Sequence, residues 1–345
     1  MRELAAASLV MTEFQPIFAL LLAGGFGFGL MPVIIRILKQ GEVLDYPNER
    51  SAHTRAVPRG GGVVLVMCFL LASGMVAGLP LFGFIAVIPM ACLGGADDLH
   101  PLRPPIRLAA QFVIAAAATV ALFWDYLHGG GPGIVFMLAA GATLVFLVNA
   151  VNFMDGIDGI SGLFGVLAGG WFLWLGVAMG GSTLAVGGAA LAGASLAFLF
   201  FNVPHARVFL GDVGSYGLGA IVFVLIVLAI QAGTPWWLAS APTHLYACDV
   251  LATLLRRVWL RRPLLSAHRD HAYQRLLDAS GWRHLTVAAM TALASAVEVA
   301  LLASSYYVGT QVGRVSLRCL AVAVLVAYLG VPSVVLRLRT SPVRA

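Results

Sequence analysis

Amide and carboxylate side chains recur at every third position in one stretch of the chain. Residues 149–159 read NAVNFMDGIDG, so Asn149, Asn152, Asp155 and Asp158 follow one another at constant spacing. On a helix or in a tight turn this spacing places the four side chains on about the same face. Polar groups that emerge together from an apolar segment cannot face lipid, so we expect them to line a functional site.

A pair of adjacent carboxylates, Asp97 and Asp98, closes another apolar stretch, and Arg103 and Arg107 follow it. Adjacent carboxylates suit a hard cation such as Mg²⁺, which accepts one or two carboxylates together with substrate phosphates. The alternative is an ordinary charged helix C-terminus, but negative charge at that end opposes the helix dipole. We therefore interpret the pair as part of a site that handles phosphate.

A third polar segment, residues 202–215, reads NVPHARVFLGDVGS. It places a carboxylate between small residues, Asp212, close to a basic residue, Arg207, and an aromatic one, Phe209. These are the groups needed to hold a metal, a phosphate and a stacked base. We interpret the segment as a substrate loop rather than as a plain turn.

A fourth segment, residues 45–62, contains His53 and ends with Arg59 and three successive glycines. Successive backbone N–H groups beside a positive charge can surround a phosphate, and we expect Gly61 and Gly62 to contribute in this way. The alternative, a flexible turn into the next helix, stays open on this segment alone.

Composition places these segments in a membrane protein. Hydrophobic residues make up 60% of the 345 residues, charged residues 10%, and the mean hydropathy is +0.94. A soluble domain carries roughly 25% charged residues, so a soluble globular enzyme is excluded. The four cysteines lie far apart and form no CxxC pair, so neither a disulfide framework nor a structural zinc site is expected.

Eleven segments are apolar enough to cross a bilayer, which needs about 20 mostly apolar residues. We expect an all-α polytopic membrane protein with one domain over residues 1–345. Its catalytic loops are expected at 39–60, 97–107, 152–160, 202–212 and 259–284. The expected spans are 14–38, 61–79, 81–96, 106–124, 132–151, 160–179, 183–201, 213–232, 235–258, 285–307 and 315–336.

Basic residues predict the orientation, because Lys and Arg gather on the cytoplasmic side of a membrane. In this layout only Arg2, Arg314 and Arg318 of the 21 basic residues lie on the opposite side from the catalytic loops. The distribution predicts an outside N-terminus, a cytoplasmic C-terminus and chemistry at the cytoplasmic face.

The polar segments resemble, in kind and in order, those of a known family. The Asp97–Asp98 pair, the NxxNxxDGxDG run and the PxARVFxGDxGS run are similar to motifs of the polyprenyl-phosphate N-acetylhexosamine-1-phosphate transferases, the MraY/WecA superfamily. The resemblance extends over about residues 45–281. It implies a Mg²⁺ enzyme, in which Mn²⁺ can substitute.

The resemblance also implies roles for single residues. Asp212 is expected to be the principal Mg²⁺ ligand, and Phe209 to stack on the uracil ring. Asp97 and Asp98 are expected to face the lipid phosphate and the diphosphate, and Arg207 occupies a basic position of its motif. The nucleotide and metal pocket is expected to be lined by Asn152, Asp155, Asp158 and Asn202.

One loop departs from the family pattern. Family members carry a His-x-His-His cluster, whereas here His271 matches the first histidine and Tyr273 and Gln274 replace later ones. This pattern resembles the branch that starts O-antigen and other surface polysaccharides, rather than the peptidoglycan enzyme. We expect His271 and Arg275 to hold the diphosphate and Tyr273 and Gln274 to select the sugar. The role of His268 stays open.

The reaction that the resemblance implies joins polyprenyl phosphate to a UDP-N-acetylhexosamine and releases UMP, at the inner membrane of a bacterium. The resemblance allows a homodimer, and no nucleic-acid partner is expected. Two alternatives are a transporter, whose intramembrane acids form an ion pathway, and a Mg²⁺-dependent intramembrane prenyltransferase. We favour direct attack by the lipid phosphate, with Asp97 orienting the lipid head and removing a residual proton. A two-step route through an aspartyl phosphate stays open.

Overall fold

A computed structural model describes residues 2–47, 55–124, 133–263 and 268–340. These ranges are almost entirely helical and contain one two-stranded antiparallel sheet. The helices are α1 (Arg2–Gln40), α2 (Gly62–Val76), α3 (Leu81–Leu99), α4 (Pro104–Leu122), α5 (Ile134–Met154), α6 (Ile160–Met179), α7 (Ser182–Asn202), α8 (Gly211–Gln231), α9 (Trp236–Ala239), α10 (His244–Trp259), α11 (Ala272–Ser280), α12 (His284–Tyr307) and α13 (Gln311–Thr340).

Within the described ranges, nine helices are long and apolar enough to cross a membrane: α1, α3 to α8, α12 and α13. Helices are the expected form of such segments, because backbone N–H and C=O groups in lipid must be satisfied inside the segment. The predicted all-α polytopic class is therefore confirmed. The number of helices that qualify differs from the eleven expected, because two of the expected spans form shorter helices.

The first of these two segments is 61–79, where α2 spans only 15 residues. Gly78, with φ +71°, and Pro80 follow it and end the helix. The second is 235–258, which divides into α9, a 3₁₀ turn at Ala241–Thr243 and α10. Pro235 only precedes the first turn of α9, whereas Pro242 lacks the N–H that a continuous helix requires, so the chain breaks at the 3₁₀ turn.

Helices α7 and α8 are the most buried and form the centre of the bundle, whereas α1, α4 and α13 lie mainly at its periphery. Glycines allow the close approach of the central helices. A Cβ at Gly193 would lie 2.3 Å from the carbonyl oxygen of Leu20, and one at Gly169 would lie 2.4 Å from the amide nitrogen of Ala192. Small residues at these positions let α7 pack directly against α1 and α6.

The polar loops gather at one end of the bundle, which we call the site end. Strand β1 (Leu44–Asp45) pairs with β2 (Val57–Pro58), with Leu44 opposite Pro58. The chain then continues into a parallel bridge between Arg59 and Phe209. This pairing fixes the loop before α2 to the loop before α8, although the two are far apart in sequence.

Candidate active site

Asp98, at the end of α3, holds the beginning of α8. Its Oδ1 accepts a hydrogen bond from the amide of Asp212 at 2.8 Å, and its Oδ2 accepts one from the amide of Val213 at 2.9 Å. These amides belong to the first turn of α8, which has no partner for them within the helix. A Cβ on Gly211 would lie 2.6 Å from Asp98 Oδ2, and φ at Gly211 is +76°, so glycine is required there.

The Asp212 carboxylate is held by groups from two other elements. Asn152 of α5 donates to Asp212 Oδ1 at 2.8 Å and is itself 3.0 Å from the hydroxyl of Ser215. Arg59 lies 2.7 Å from Asp98 Oδ1 through Nε and 3.0 Å from Asp212 Oδ1 through Nη2. One guanidinium therefore bridges the two carboxylates.

Asp97 is buried and fully engaged on its own side of the cluster. Its Oδ1 accepts from the amide of Leu102 at 2.7 Å, and its Oδ2 lies 2.8 Å from Arg107 Nη1 and 3.4 Å from the hydroxyl of Tyr216. The Asp97 carboxyl also interacts with that of Asp212. The loop after α3 and the side of α8 thus meet at this residue.

Asp155 follows α5 and accepts a hydrogen bond from the hydroxyl of Ser161 at 2.6 Å. Burial raises the pKa of the Asp155 carboxyl to about 7; the nearby charge of Asp212 acts in the same direction, and the Ser161 hydrogen bond opposes it. A carboxyl with a pKa near 7 can take up or release a proton at neutral pH.

Asp158 and Asn202 connect loops. Asn202 Oδ1 accepts from the amide of Gly159 at 2.6 Å, and its Nδ2 donates to the carbonyl of Val208 at 3.0 Å. Asp158 Oδ2 accepts from the amide of Ala206 at 3.3 Å and lies 3.4 Å from Nδ1 of His284, at the start of α12. Both side chains join the loop after α5 to the loop before α8, and Asp158 also reaches α12.

A cavity of about 1000 Å³ opens beside these loops. Its polar part is lined by Asp158, Phe209 and the side chains of Arg55, His205, Arg283 and His284. Its apolar part follows one face of α12, with Leu285, Ala289, Met290 and Leu293. The cavity thus combines an aromatic ring, several cationic or imidazole groups and an apolar wall.

Sequence comparisons relate this chain to known transferases. The profile of glycosyl transferase family 4 matches residues 80–230. The phospho-N-acetylmuramoyl-pentapeptide-transferase of Synechococcus sp. is 32% identical over 281 residues, which are 72% of this chain and 74% of that protein. The undecaprenyl-phosphate alpha-N-acetylglucosaminyl 1-phosphate transferase of Thermotoga maritima is 28% identical over 264 residues, 75% of this chain and 82% of that protein.

The chain belongs to glycosyl transferase family 4. The predicted membership of the MraY/WecA superfamily is confirmed, since the relatives carry the names of both of its branches. This member of the family is accordingly a multi-pass membrane transferase.

In this family 4 member the glycines beside Arg59 have a packing role. The amides of Gly60 and Gly61 donate to the carbonyl of Phe209 at 3.2 and 2.9 Å, and the amide of Gly62 donates to that of Leu210 at 2.8 Å. A Cβ on Gly62 would lie 2.1 Å from the Cα of Gly214. These amides are engaged by the chain itself, which corrects the expectation that Gly61 and Gly62 offer them to a phosphate.

The imidazole of His271 lies in the body of the bundle, only 2% exposed. Its ring stacks on those of Phe153 and Tyr273, with centroids 5.9 and 6.0 Å apart. His268 lies 5.1 Å from His271 between ring centroids. Burial lowers the pKa of His268 to about 4, and the positive charges of His271 and Arg257 add to this effect. His268 is therefore neutral at physiological pH.

The other predicted residues of this loop, Tyr273, Gln274 and Arg275, form hydrogen bonds within the protein. The hydroxyl of Tyr273, fully buried, donates to the carbonyl of Phe153 at 3.0 Å. Gln274 Oε1 accepts from the amide of His271 at 3.3 Å. Arg275 donates to the hydroxyl of Ser333 on α13 at 2.9 Å. The structure thus places Arg275 away from the carboxylate cluster. It places Tyr273 and Gln274 behind the loop that carries Asp155.

Two other predicted residues are not brought into the cluster by the described structure. Arg207 donates to the carbonyl of Phe200 at 2.6 Å, and its guanidinium lies 4.5 Å from the ring centroid of Phe201. His53 lies outside the described residues. Three side chains that sequence reasoning did not select do contact predicted carboxylates: Arg107, Tyr216 and His284. Of these three, only Arg107 could have been identified from the sequence, because it is a basic residue that follows the carboxylate pair.

The donors present fit a Mg²⁺ ion. Among the described residues, no group of three or more His, Cys, Asp or Glu forms a ready metal cage. Mg²⁺ does not need one, because it binds through one or two carboxylates with water and substrate phosphates. Three carboxylates, Asp97, Asp98 and Asp212, lie with only two guanidinium groups, Arg59 and Arg107. With one more negative than positive side chain, the cluster fits a divalent cation.

Proposed function

We propose that this protein transfers N-acetylhexosamine-1-phosphate from a UDP-sugar to polyprenyl phosphate and releases UMP. The observation that carries the proposal is the position of Asp212. Its carboxylate is fixed by Asn152 and Arg59, while Asp98 holds the turn on which it stands. The Thermotoga maritima relative, which is named for N-acetylglucosaminyl 1-phosphate transfer to undecaprenyl phosphate, supports the same reaction class.

The cavity of about 1000 Å³ is the proposed site for the donor nucleotide. Phe209 offers a flat ring for the uracil base, and base–aromatic stacking is worth about 1–3 kcal/mol. Arg55 and Arg283 line the same cavity and offer positive charge to the diphosphate. Asp158, bound to His284 and the Ala206 amide, stabilises the cavity wall.

Mg²⁺, for which Mn²⁺ can substitute, is the proposed cofactor, with Asp212 as its principal ligand and Asp97 beside it. When bound, the ion would neutralise the diphosphate and favour departure of UMP. Arg59 and Arg107 hold the carboxylates in place by pairing with them. Asp98 acts through the α8 backbone, since both of its oxygens accept amide hydrogen bonds.

The acceptor is proposed to attack directly. A phosphate monoester has a second pKa of about 6, so the lipid phosphate is largely dianionic at neutral pH and is already nucleophilic. A phosphate oxygen of the lipid forms a bond to the sugar-linked phosphorus, and the bond from that phosphorus to the bridging oxygen breaks as UMP leaves. We propose that Asp155, whose carboxyl pKa is raised by burial, takes the residual proton of a monoanionic acceptor.

The proposed setting is the inner membrane of a bacterium, with the site end facing the cytoplasm, where nucleotide sugars are made. The distribution of basic residues around the loops supports this orientation. The combination of His271, Tyr273 and Gln274 supports a role in starting O-antigen or another surface polysaccharide. The sequence segments also allow a homodimer.

The test uses purified protein in detergent with polyprenyl phosphate, Mg²⁺ and a panel of UDP-N-acetylhexosamines. We expect release of UMP and formation of a polyprenyl-diphosphate sugar with at least one donor, and no product after chelation by EDTA. A variant with Asp212 replaced by Asn serves as the inactive control. Absence of UMP from every donor, with nucleotide and lipid present, would reject the proposal.

A further inference from the structure

A carboxylate that no motif selected lies at the centre of the His271 region. Asp249 stands in the middle of α10 and is completely buried. Its Oδ1 lies 3.2 Å from Nδ1 of His271, and both of its oxygens accept from the amide of Ala272, at 2.9 and 3.0 Å. The hydroxyls of Thr253 and Tyr328 donate to it at 3.3 and 3.1 Å.

The partners of Asp249 define the tautomer of His271. The amide can only donate, and the two hydroxyls donate to the same carboxylate, so Asp249 acts as an acceptor throughout. Nδ1 of His271 must then carry a hydrogen. The other ring nitrogen, Nε2, is buried and has no hydrogen-bond partner among the described residues.

The position of the ring connects it with the site. His271 stacks on Phe153, two residues before Asp155, and Tyr273 ties the same backbone through its hydroxyl. A buried nitrogen without a partner costs free energy comparable to a lost hydrogen bond unless a ligand supplies one. Burial of the ring thus favours a function that uses Nε2.

We propose that Asp249 is the positioning residue for His271. Its carboxylate accepts from Nδ1–H and fixes the ring orientation, which leaves Nε2 as the nitrogen that can meet a polar group of the donor substrate. This inference rests on the proposed function. It gives α10, through Asp249, the task of holding a side chain of the site in position.

Asp249→Asn is the informative variant, because it keeps size and one acceptor oxygen while removing the charge. Tyr328→Phe is the matched control, since it removes one hydrogen bond to Asp249 and leaves the charge. We expect kcat of UMP release to fall about 30-fold in Asp249→Asn, with KM for the UDP-sugar changed less than about threefold. Tyr328→Phe should keep kcat within about threefold at a similar loss of thermal stability.

A double-mutant cycle separates positioning from a purely structural role. If Asp249 acts through His271, then Asp249→Asn should have almost no further effect on kcat in a His271→Gln background. Additive losses in the cycle would overturn the proposal. So would equal losses of kcat in Asp249→Asn and Tyr328→Phe.

A measurement without turnover distinguishes failure of this inference from failure of the proposed function. In ¹⁵N-histidine-labelled protein, the Nδ1 proton of His271, assigned with His271→Gln, should resonate far downfield and move upfield in Asp249→Asn. Absence of that resonance in the parent protein overturns the role of Asp249, even if the variant does not fold. A parent protein with the resonance but without UMP release rejects the reaction and leaves the Asp249–His271 pair standing.

Discussion

Asp98 illustrates how the function of a carboxylate depends on which atoms it meets. The sequence predicts it as a catalytic residue beside Asp97, yet both of its oxygens accept amide hydrogen bonds from the first turn of α8. An N-terminal cap of this kind is worth about 1 kcal/mol. Asp98 and Arg59 together fix the position of Asp212, so their effect on chemistry is expected to be mostly geometric.

Asp212 is the residue whose removal we expect to be most costly. Asp212→Asn keeps the hydrogen bond from Asn152 but removes the charge that binds Mg²⁺, so turnover should fall by about 10³-fold or more. The Mg²⁺ concentration needed for residual activity should rise. Melting temperatures in detergent, compared with the parent protein, control for folding. Near-normal activity with an unchanged Mg²⁺ response would remove Asp212 from the metal site.

Phe209 allows a test of base stacking, because its backbone is held independently of its ring. Its amide and carbonyl pair with Pro58, Gly60 and Gly61, so Phe209→Ala should leave the loop in place. We expect KM for the UDP-sugar to rise about tenfold or more, from a stacking energy of about 1–3 kcal/mol, with little change for the lipid.

Phe200→Ala is the matched control for the Phe209 experiment. Phe200 is an exposed aromatic residue of the same region that packs on Arg207 and does not line the cavity. It should leave both KM values unchanged. Equal changes for nucleotide and lipid in Phe209→Ala would indicate that the ring packs the loop and does not stack on a base.

The sequence singled out the carboxylates and Arg59 that the structure brings together, but it gave no indication of Tyr216 or Asp249. Spacing of three in residues 149–159 exposed Asn152 and Asp155, because a polar stripe on an apolar helix is visible in one dimension. Arg107, Tyr216 and Asp249 become relevant only through contacts between distant helices, such as Tyr216 with Asp97. No periodicity records such contacts.

At the scale of elements, the site depends on how closely α3 approaches α8. A Cβ at Gly94 would lie 2.1 Å from the carbonyl oxygen of Asp212 and 2.7 Å from the amide of Val213. These are backbone atoms, which cannot rotate away as a side chain can. Gly94 therefore sets the distance at which the Asp98 carboxylate reaches the start of α8.

Gly94→Ala tests this close approach. The two helices must separate by about 1 Å, and a misplacement of that size can cost about 10²-fold in rate, so we expect kcat to fall to that extent. Gly95→Ala is the control on the same helix, since its Cβ would meet only Val213 Cγ2 at 3.7 Å, an ordinary contact. Equal activities of the two variants would show that α3 and α8 adjust without loss.

Close packing of elements also explains why the glycines before α2 were wrongly predicted to bind a phosphate. A run of three glycines beside an arginine is typical of phosphate loops, but it is equally typical of chains in close contact. Here Gly62 faces Gly214 across the start of α8, and its amide is donated to Leu210. Sequence cannot separate the two uses, because both require an absent side chain.

At the scale of the whole molecule, hydropathy located the helices but could not reveal which of them are interrupted. The segment 235–258 is apolar on average, yet a 3₁₀ turn that contains Pro242 interrupts it, and Asp249 and Arg257 of α10 are buried. An average over about 20 residues hides both features. The residues on the buried side of α10 make the contacts that hold His271 in place.

The predicted orientation can be measured with single cysteines in a background where all four native cysteines, Cys68, Cys92, Cys248 and Cys319, are replaced by Ser. Gly309 and Trp282 are exposed and lie in the turns at opposite ends of α12. In intact bacterial cells, a membrane-impermeant maleimide should label Gly309→Cys, and Trp282→Cys should react only after permeabilisation. The reverse pattern would place the site end outside the cytoplasm and exclude the proposed donor.

Some contacts that support the site can form only after the last helix, α13, has been synthesised. Arg59 and Asp98 are made early and can pair at once, which satisfies their charges while the chain is still being inserted. The first turn of α8 then completes the carboxylate cluster. Tyr328 and Arg339 of α13, which secure Asp249 and the end of α11, are translated last. Because domains are built from the N-terminus during synthesis, the nascent chain can complete its carboxylate cluster first, and the contacts of Asp249 with Tyr328 follow only when the last helix enters the bilayer.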